Sequence, residues 1–413
     1  MNLEDWLGRI GQLHPKAWDL GLDRVASVAR RLDILKPASH TFLVAGTNGK
    51  GSTCEALEQL CINHGYRVGK STSPHLVSFN ERIVVNGVNA RDEEICDAFA
   101  TIDSARDGIS LTYFEFATLA ALLIFKHHNL DVVVLEVGLG GRLDAMNIVD
   151  PDISIITRIA LDHEAWLGHD RETIGQEKAG IMRRDRCCVI ADESPPLAVA
   201  RVASEQGAIP LYLGNDSGGG DFGTYGNQIR LKGAGALPAF VEPVLPMPSL
   251  LAALQAFAIE LEPPTAEDIK ALGRLTLAGR FQFLDDSPGT LLDVAHNPDA
   301  AERLAGKLQS LSFDQCRAVF GMYGDKDIEK VVLALLPHVD KWYLSAVDEA
   351  RAATTADLAS IIRGFGGLVA GTYDKVPLAY DRAYDESDPG DLILVFGSFP
   401  VVGEVLQHKG VSV

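Results

Sequence analysis

A glycine-rich turn that carries a lysine follows an apolar run near the start of the chain. It reads Ala-Gly-Thr-Asn-Gly-Lys-Gly-Ser-Thr over residues 45–53, directly after the run at 41–44, which is typical of a buried strand. Glycines let backbone N–H groups turn toward an anion, and the N-terminus of a helix favours negative charge. Lys50 adds a mobile cation, and either Ser52 or Thr53 offers a hydroxyl to a phosphate-bound Mg²⁺. The turn therefore predicts a cradle for nucleotide phosphates.

Two positions depart from the general phosphate-binding pattern. Val44 stands where that pattern has its first glycine, and Gly51 separates Lys50 from Ser52. A glycine turn without a ligand therefore remains the alternative for this segment taken alone.

A carboxylate stands at the end of the next buried strand. Residues 131–137 form an apolar run around Glu136, and glycines follow it. P-loop proteins keep the acidic residue that organises Mg²⁺ at this place, while a cap on a neighbouring helix is the alternative for Glu136. Downstream, His163 follows another apolar run and is a candidate ligand for a second cation. Composition alone makes Lys178 an ordinary surface lysine of a helix.

Composition sets the broad class of the protein. The 413 residues are 47% hydrophobic and 23% charged, which predicts a globular chain of two or more domains. The formal charge of −19 argues against nucleic acid and anionic membranes as partners, because binding to phosphate groups requires a basic protein surface.

Six scattered cysteines predict reduced thiols and a cytoplasmic location. The longest apolar run, 111–125, is too short to span a bilayer and contains Glu115, so it predicts a buried helix.

The elements that must hold these side chains alternate between strand and helix. In the first part, the parallel strands of a doubly wound sheet are predicted by apolar runs at 41–45, 131–137, 152–157 and 187–191. Alternation restarts after 285–289, with strands expected at 290–294, 317–321, 341–346 and 391–396. The predicted fold class is α/β, with an N-terminal P-loop domain over 1–285 and a smaller C-terminal Rossmann-like domain over 286–413.

Short motifs are spread over nearly the whole chain. The first half has Gly-Thr-Asn-Gly-Lys-Gly-Ser at 46–52, Thr-Ser-Pro-His-Leu at 72–76, Glu-Val-Gly-Leu-Gly-Gly-Arg-Leu-Asp at 136–144, Asp-His at 162–163 and Glu-Lys-Ala-Gly-Ile at 177–181. The second half has Gly-Arg-Phe-Gln at 279–282, Asp-Val-Ala-His-Asn-Pro at 293–298, Gly-Met at 321–322, Asp-Lys-Asp at 325–327 and Gly-Ser-Phe at 397–399. Together they resemble folylpolyglutamate synthase, a family of ATP-dependent Mur-type amide ligases. Residues 18–24 resemble the branch that is also dihydrofolate synthase.

The resemblance implies a ligase that joins an acid to an amino acid. Such enzymes transfer the γ-phosphoryl group of ATP to a carboxylate, and the amino group of L-glutamate attacks the acyl phosphate to form an amide. The chain would make dihydrofolate from dihydropteroate and extend the polyglutamate tails of reduced folates, or carry out one of these reactions alone. Such a path needs charge neutralisation more than covalent help, so no protein nucleophile is expected.

The resemblance also implies roles for individual residues. The ATP-binding set is Thr47, Asn48, Gly49, Lys50, Gly51, Ser52, Arg280, Asp293, His296 and Asn297. Two Mg²⁺ ions are implied, the first held by Ser73 and Glu136 and the second by Glu136 and His163, with a carbamate on Lys178 as a further ligand. The catalytic set is Lys50, His163 and carbamylated Lys178. The substrate-binding set is Asp19, Leu20, Gly21, Arg82, Thr112, Leu143, Asp144 and Ala145.

Two residues depart from the family pattern. Ser249 follows a proline where many members have asparagine, so the nucleotide contact expected there is weaker or supplied otherwise. Met146 replaces a small polar residue, which is expected to reshape the edge of the pterin site.

Other function classes use the same phosphate loop. A small-molecule kinase would release a phosphorylated product, and a nucleotide-regulated binding protein would bind ATP without releasing phosphate. A Mur ligase of cell-wall synthesis would need a domain for a uridine nucleotide, and the 40 or so residues before the turn are too few to build one. The expected partners are dihydropteroate, reduced folates and L-glutamate, without nucleic acid or membrane, and a monomer is expected.

Overall fold

The computed structural model describes residues 1–16, 19–284, 287–347, 349 and 351–411. Contacts divide the chain into two compact units. The first unit comprises Met1–His75, Phe79–Ala160 and Leu167–Leu275. The second comprises Leu76–Ser78, Leu161–Trp166 and Thr276–Val413. Two short segments of the N-terminal half therefore pack with the C-terminal half of the chain.

Each unit contains one sheet within the described residues. The strands of the first sheet are β1 (His40–Ala45), β2 (Val68–Ser71), β3 (Ile83–Val85), β4 (Val88–Asn89), β5 (Val132–Glu136), β6 (Ile153–Ile156), β7 (Cys187–Ile190), β8 (Ile209–Asn215), β9 (Phe222–Tyr225), β10 (Gln228–Arg230) and β11 (Leu237–Pro238). Those of the second are β12 (Gln282–Leu284), β13 (Gly289–Asp293), β14 (Cys316–Phe320), β15 (Lys341–Ser345), β16 (Val369–Tyr373) and β17 (Leu392–Phe396).

Helices connect the strands along the chain. The α-helices are α1 (Leu3–Ile10), α2 (Asp23–Arg31), α3 (Lys50–Asn63), α4 (Asp92–Ala105), α5 (Tyr113–His127), α6 (Glu164–Leu167), α7 (Arg171–Ala179), α8 (Leu197–Gln206), α9 (Met247–Glu260), α10 (Ala266–Gly273), α11 (Pro298–Leu308), α12 (Ile328–Leu335), α13 (Thr355–Gly364), α14 (Val376–Asp385) and α15 (Phe399–His408). Short 3₁₀ helices lie at Phe79–Arg82, Ala145–Ile148 and Leu336–His338. No helix in the described ranges is long and apolar enough to cross a membrane.

The first sheet has the strand order β11-β10-β9-β8-β7-β6-β1-β5-β2-β3-β4. Its centre, β8 to β2, is parallel, and every residue of β5 is buried, as expected for a β-branched strand covered on both faces. In the second sheet, with the order β12-β13-β17-β14-β15-β16, only β12 runs antiparallel to its neighbour. Parallel α/β sheets bind ligands at the carboxyl ends of their strands, so ligand contacts are expected from the loops after β1, β5 and β13.

The predicted α/β class is confirmed. All eight predicted strands are present to within one residue at each end, and the predicted buried helix is α5, two residues further along the chain at both ends. The predicted domain boundary after residue 285 differs from the contact division, which assigns residues from Thr276 to the second unit. The reason is β12, which precedes the expected boundary and pairs with β13.

The predicted strands do not include β2, a central strand. Its four residues, Val-Gly-Lys-Ser, are all buried although Lys70 is charged. Lys70 contributes to the core because it forms ion pairs with Glu55 and Glu58 of α3. An apolar run was therefore not required for this strand to be buried.

Candidate active site

The predicted phosphate loop connects β1 to α3, and its shape requires glycine. Gly49 precedes the first turn of α3 with φ +93°, a left-handed conformation that side chains rarely adopt. At Gly46 a Cβ atom would lie 1.8 Å from Oγ1 of Thr157, a buried residue after β6. The backbone of the loop is therefore packed closely enough to exclude any side chain at these positions.

The loop is fixed to the strand end beside it. The Thr47 amide donates to the Arg158 carbonyl at 2.7 Å. The Thr47 hydroxyl donates to the Ala160 carbonyl at 3.0 Å and accepts from the Ala160 amide at 3.1 Å. Asn48 forms an isolated bridge with Arg158 and is buried, and Ser52 is buried in the first turn of α3. The amide and hydroxyl of Thr47 thus fix the loop to residues 158–160.

Two lysines converge on one carbonyl of this loop. The Lys50 ammonium donates to the Gly46 carbonyl at 3.2 Å, and the Lys178 ammonium donates to the same oxygen at 2.8 Å. Lys178 lies in the last turn of α7 and is only 3% exposed, so it is not the surface lysine that composition suggested. The structure therefore places the Lys178 ammonium against the phosphate loop.

The predicted acidic residue lies beside Lys50. Glu136 ends β5, is 5% exposed and has its Oε1 atom 3.8 Å from the Lys50 ammonium. Its Oε2 atom accepts from the Ser73 amide at 3.1 Å. Parallel pairing explains the juxtaposition, because Val44 of β1 lies opposite Glu136. Ser73, Glu136, Lys50 and Lys178 are thus brought to one edge of the first sheet.

A metal ion at this edge could not rely on acidic side chains alone. Within the described residues there is no group of three or more His, Cys, Asp or Glu side chains arranged to hold a metal ion. In the first unit the predicted ligand set consists of one carboxylate, Glu136, with the Ser73 hydroxyl and Lys178. His163 belongs to the second unit. Such a set fits Mg²⁺ that keeps waters and takes further oxygens from nucleotide phosphates.

Beneath the phosphate loop, a buried cation joins α3 to β2. Lys70 forms ion pairs with Glu55 and Glu58, and the Gly87 amide donates to Glu58 at 3.2 Å. Burial by itself lowers the pKa of Lys70, but the two carboxylates outweigh it and the pKa is raised. Burial raises the pKa of Glu58, which Lys70 partly offsets. The three side chains form a charged cluster beside the middle turns of α3, the helix that carries Lys50.

Replacing Lys70 with methionine is expected to lower the free energy of unfolding by about 3 kcal/mol, because it leaves the buried Glu58 and the partly buried Glu55 without their counter-charge. Arg67→Met is the control: Arg67 is 57% exposed, and losing its solvent-screened ion pair with Asp131 should lower the free energy of unfolding far less. Urea unfolding of both variants measures the difference. Equal losses in the two variants would contradict the role assigned to Lys70.

The loop after β5 is ordered by Asp144. This carboxylate accepts from the amides of Leu139 and Met146 at 2.8 and 2.9 Å, and it is buried. Burial raises its pKa to about 6. Asp144 was a predicted substrate contact, but both of its oxygens face backbone amides. Leu143 beside it is half-buried and Ala145 is buried.

The raised pKa of Asp144 gives a testable pH dependence. Between pH 3.8 and about 6 the folded protein holds a proton on this group that the unfolded chain has lost. The contribution of Asp144 to the free energy of unfolding should therefore fall as the pH rises through this window, by about 3 kcal/mol in total. Denaturant unfolding of the wild type and of Asp144→Asn at several pH values measures it. A difference between the two proteins that stays constant from pH 4 to 7 would contradict it.

Met146, the second departure from the family pattern, is part of the core. It is 2% exposed and belongs to the main apolar cluster of the first unit. Its side chain therefore packs inward from the loop after β5. The other departure, Ser249, is buried at the start of α9, and its hydroxyl donates to the Gly49 carbonyl at 3.2 Å.

The predicted substrate residues near the N-terminus belong to one polar network. The Arg24 guanidinium donates to Asp19 at 2.5 Å and to Glu115 at 3.1 Å. Thr112 caps α5, and its amide donates to Glu115 at 2.7 Å. Burial acts to raise the pKa of Asp19, but Arg24 and the nearby Lys16 lower it overall. Leu20 and Gly21 follow Asp19 directly and are half-buried.

Arg24 was not among the predicted site residues, because a lone arginine at the start of a helix carries no sequence signal. Trp18, part of the same resemblance, lies outside the described residues.

Arg82, another predicted substrate residue, is surrounded by aromatic rings. Its Cζ atom lies 5.7 Å from the ring centres of both Phe79 and Tyr113. Its Nε atom donates to Nδ1 of His75 at 2.8 Å. Burial, assisted by Arg82, lowers the pKa of His75 to about 4. From the sequence, His75 had no role beyond its place in the motif at 72–76. In the structure its partner is Arg82.

In the second unit, Asp162 is the centre of a buried polar cluster. It pairs with Lys326 at 2.5 Å, accepts from the Asn297 amide nitrogen at 3.2 Å and lies 3.4 Å from Nε2 of His296. Burial acts to raise the pKa of Asp162. His296 and Lys326 outweigh it and hold this pKa far below its usual range. Lys326 also lies 3.4 Å from Nε2 of His163. Three predicted site residues, His163, His296 and Asn297, are thus brought together.

The remaining predicted residues of the second unit flank the end of β13. Asp293 accepts from the amides of Phe281 and Ala295 at 2.9 and 2.8 Å, and burial raises its pKa. Arg280 lies with Cζ 5.0 Å from the ring centre of Phe399. The carboxylate of Asp293 therefore orders the turn that carries Arg280.

Comparison with known proteins identifies the family of this chain. Residues 44–209 match the Mur ligase middle domain, and residues 279–399 match the Mur ligase glutamate ligase domain. The dihydrofolate synthase/folylpolyglutamate synthase of Escherichia coli strain K12 is 43% identical over 410 residues, which is 98% of this chain and 95% of that protein. The chain belongs to the dihydrofolate synthase/folylpolyglutamate synthase family. The resemblance stated from the motifs is confirmed.

Two solved structures of this family give the same fold. The E. coli FolC structure in complex with DHPP and ADP has a TM-score of 0.93 and 41% identity, and covers 99% of this chain and 98% of its own. A bifunctional folylpolyglutamate synthase/dihydrofolate synthase with Mn, AMPPNP and L-glutamate bound has a TM-score of 0.91 and 41% identity, and covers 100% of this chain and 98% of its own. The predicted P-loop domain and smaller C-terminal domain are confirmed, and the ligase is favoured over the kinase, the binding protein and the cell-wall ligase.

Proposed function

We propose that the protein is an ATP-dependent ligase that activates a pterin or folate carboxylate as an acyl phosphate and joins it to L-glutamate. Its substrates would be dihydropteroate, giving dihydrofolate, and reduced folates, whose polyglutamate tails it would extend. The observation that carries the proposal is the convergence of Lys50, Lys178 and Glu136 on one glycine loop. A cation, an acidic residue and the backbone amides of a helix N-terminus in one place are what phosphoryl transfer requires.

The residues of the loop have distinct tasks in this reaction. Lys50 neutralises charge on the transferred phosphoryl group, while the amides at the start of α3, including those of Gly49, Gly51 and Ser52, orient the phosphates. Thr47 and Asn48 keep the loop in place through residues 158–160. The acyl phosphate is attacked by the amine of glutamate, so the protein needs no nucleophile of its own.

We propose that Ser73, Glu136 and carbamylated Lys178 hold Mg²⁺ in the first unit. The buried carboxylate of Glu136, already oriented by the Ser73 amide, suits a hard cation. Bound Mg²⁺ neutralises the phosphates and polarises the group to be transferred. His163 is proposed as a ligand of a second ion on the family resemblance. In the second unit, Arg280, Asp293, His296 and Asn297 are proposed as nucleotide contacts on the same ground.

Phosphate release from ATP tests the proposal. The reaction is run with Mg²⁺ and glutamate, in parallel with dihydropteroate, with a reduced folate and without either acceptor. Phosphate release that needs glutamate and occurs with both acceptors supports the bifunctional ligase. Phosphate release with only one of the two acceptors indicates a monofunctional enzyme. Release that needs the pterin but ignores glutamate would point to a kinase instead, and no release would contradict the proposal.

We also propose that the enzyme acts as a monomer in the cytoplasm. All six cysteines are free thiols, four of them buried, which agrees with a reducing compartment. Gel filtration with light scattering measures the oligomeric state, and a mass of two chains would contradict the monomer.

A further inference from the structure

Arg82 is a partly buried cation without an ion pair among the described residues, although the charges of Glu81 and Glu136 act on it from further away. Burial lowers its pKa, and its guanidinium packs between the rings of Phe79 and Tyr113. In the part of the chain that the structure describes, no carboxylate lies within ion-pair distance of it. Buried charges in proteins are normally paired, because desolvation without a partner is costly.

Other buried cations of this protein follow that rule. Lys70 pairs with two glutamates, Lys326 with Asp162, and Arg317 with Asp391. Arg82 instead has one neutral partner, the imidazole of His75. Its missing counter-charge is therefore expected to come from a bound anion.

The position of Arg82 limits what that anion is. The guanidinium lies at the end of a 3₁₀ helix and faces Tyr113 of α5, next to the predicted substrate residue Thr112. The charge of Glu136 acts on Arg82 from the end of β5. An anion bound here would have an aromatic wall on one side and the phosphate-loop edge of the sheet on the other. A carboxylate on an aromatic or alkyl chain fits such a place.

His75 determines which edge of the guanidinium is available. Nδ1 of His75 accepts a hydrogen bond from Nε of Arg82, so this nitrogen carries no proton. The contact occupies the Nε edge and leaves Nη1 and Nη2, a pair with the spacing to bind both oxygens of a carboxylate. The His75 ring is itself held 6.2 Å from that of Phe79 in an edge-to-face arrangement.

We propose that His75 is a positioning residue that directs the Nη1–Nη2 edge of Arg82 toward the carboxylate of the acceptor substrate. The inference rests on the proposed function, which requires an acceptor carboxylate near the phosphate loop. It goes beyond that function by naming the group that recognises the carboxylate and the residue that orients it.

The test compares an acid with its neutral analogue. Dissociation constants for dihydropteroate and for its carboxamide are measured by fluorescence in the presence of Mg²⁺ and a non-hydrolysable ATP analogue. His75→Leu removes the acceptor for Nε, and His75→Asn retains a carbonyl oxygen in its place. We expect His75→Leu to bind dihydropteroate about tenfold more weakly, with unchanged affinity for the carboxamide. His75→Asn should recover most of the loss.

Kinetics and a control variant complete the experiment. In the glutamate-dependent reaction His75→Leu should raise the KM for dihydropteroate and leave the KM for ATP unchanged. His128→Leu is the matched control, because this half-exposed histidine follows the other end of α5, about 22 Å from Tyr113. Thermal unfolding checks that each variant is folded.

Two results would overturn the inference. One is wild-type affinity of His75→Leu for dihydropteroate, and the other is an equal loss for the acid and the carboxamide, which indicates a structural role. Failure of the proposed function is a separate result, since it means no glutamate-dependent phosphate release by the wild type. The binding comparison does not need turnover, so it decides the role of His75 in that case as well.

Discussion

Replacing Lys178 with alanine is expected to reduce the rate of glutamate ligation by about 10³-fold or more, equivalent to about 4 kcal/mol of transition-state stabilisation. The side chain is 3% exposed, and its nitrogen shares the Gly46 carbonyl with Lys50. Burial and a neighbouring cation favour the uncharged amine, which is the form that reacts with CO₂ to give a carbamate. The variant would lose both the contact to the loop and the proposed metal ligand.

Chemical rescue separates these two losses. A short carboxylic acid such as acetate is expected to restore part of the activity of Lys178→Ala, because it can occupy the place of the carbamate. Steady-state phosphate release measures this with and without the acid. Lys270→Ala, with a 72% exposed helix lysine, is the control and should keep wild-type activity. Full activity of Lys178→Ala without any addition would contradict the role of this residue.

Replacing Glu136 with glutamine is expected to have an effect of similar size. The change keeps the shape and one oxygen for the Ser73 amide but removes the negative charge beside Lys50. Because the only first-unit carboxylate of the proposed metal set is lost, kcat/KM should fall by about 10³-fold. Binding of Mn²⁺ in the presence of a non-hydrolysable ATP analogue, followed by electron paramagnetic resonance, should weaken in parallel.

The control for Glu136→Gln is Glu267→Gln, which removes a charge from an 81% exposed side chain of α10. It should change neither the rate nor the binding of Mn²⁺. If Glu136→Gln bound Mn²⁺ as the wild type does and lost activity only, the carboxylate would not be a metal ligand. A role in positioning Lys50 would then be the better explanation.

Apolar runs were sufficient to predict most of the fold. Strands such as β5 and β14 are buried along their whole length, and their sequences are apolar except for Glu136 at the end of β5 and Arg317 in β14. This signal is absent where burial depends on partners distant in sequence, as in β2, where two carboxylates of α3 neutralise Lys70. It is also weak at β16, an edge strand that is not fully buried.

The candidate site was predictable only in part, for a similar reason. Glycine spacing indicates the phosphate loop directly, because Gly46 and Gly49 have to fit their backbone surroundings. The position of Lys178 follows from packing of α7 against a loop 132 residues earlier, and only the family resemblance suggested it. The partnership of His75 with Arg82 depends on rotamers and neighbouring rings, for which the sequence carries no signal.

The central claim is that the acceptor carboxylate is activated as an acyl phosphate, and an oxygen isotope tests it most directly. Dihydropteroate labelled with ¹⁸O in both carboxylate oxygens is incubated with the enzyme, ATP, Mg²⁺ and glutamate. Attack of the carboxylate on the γ-phosphorus followed by attack of the amine on the carbonyl carbon transfers one labelled oxygen to phosphate. Mass spectrometry should therefore find one ¹⁸O in each phosphate released and one in the dihydrofolate. Phosphate without label, formed together with dihydrofolate, would contradict the account.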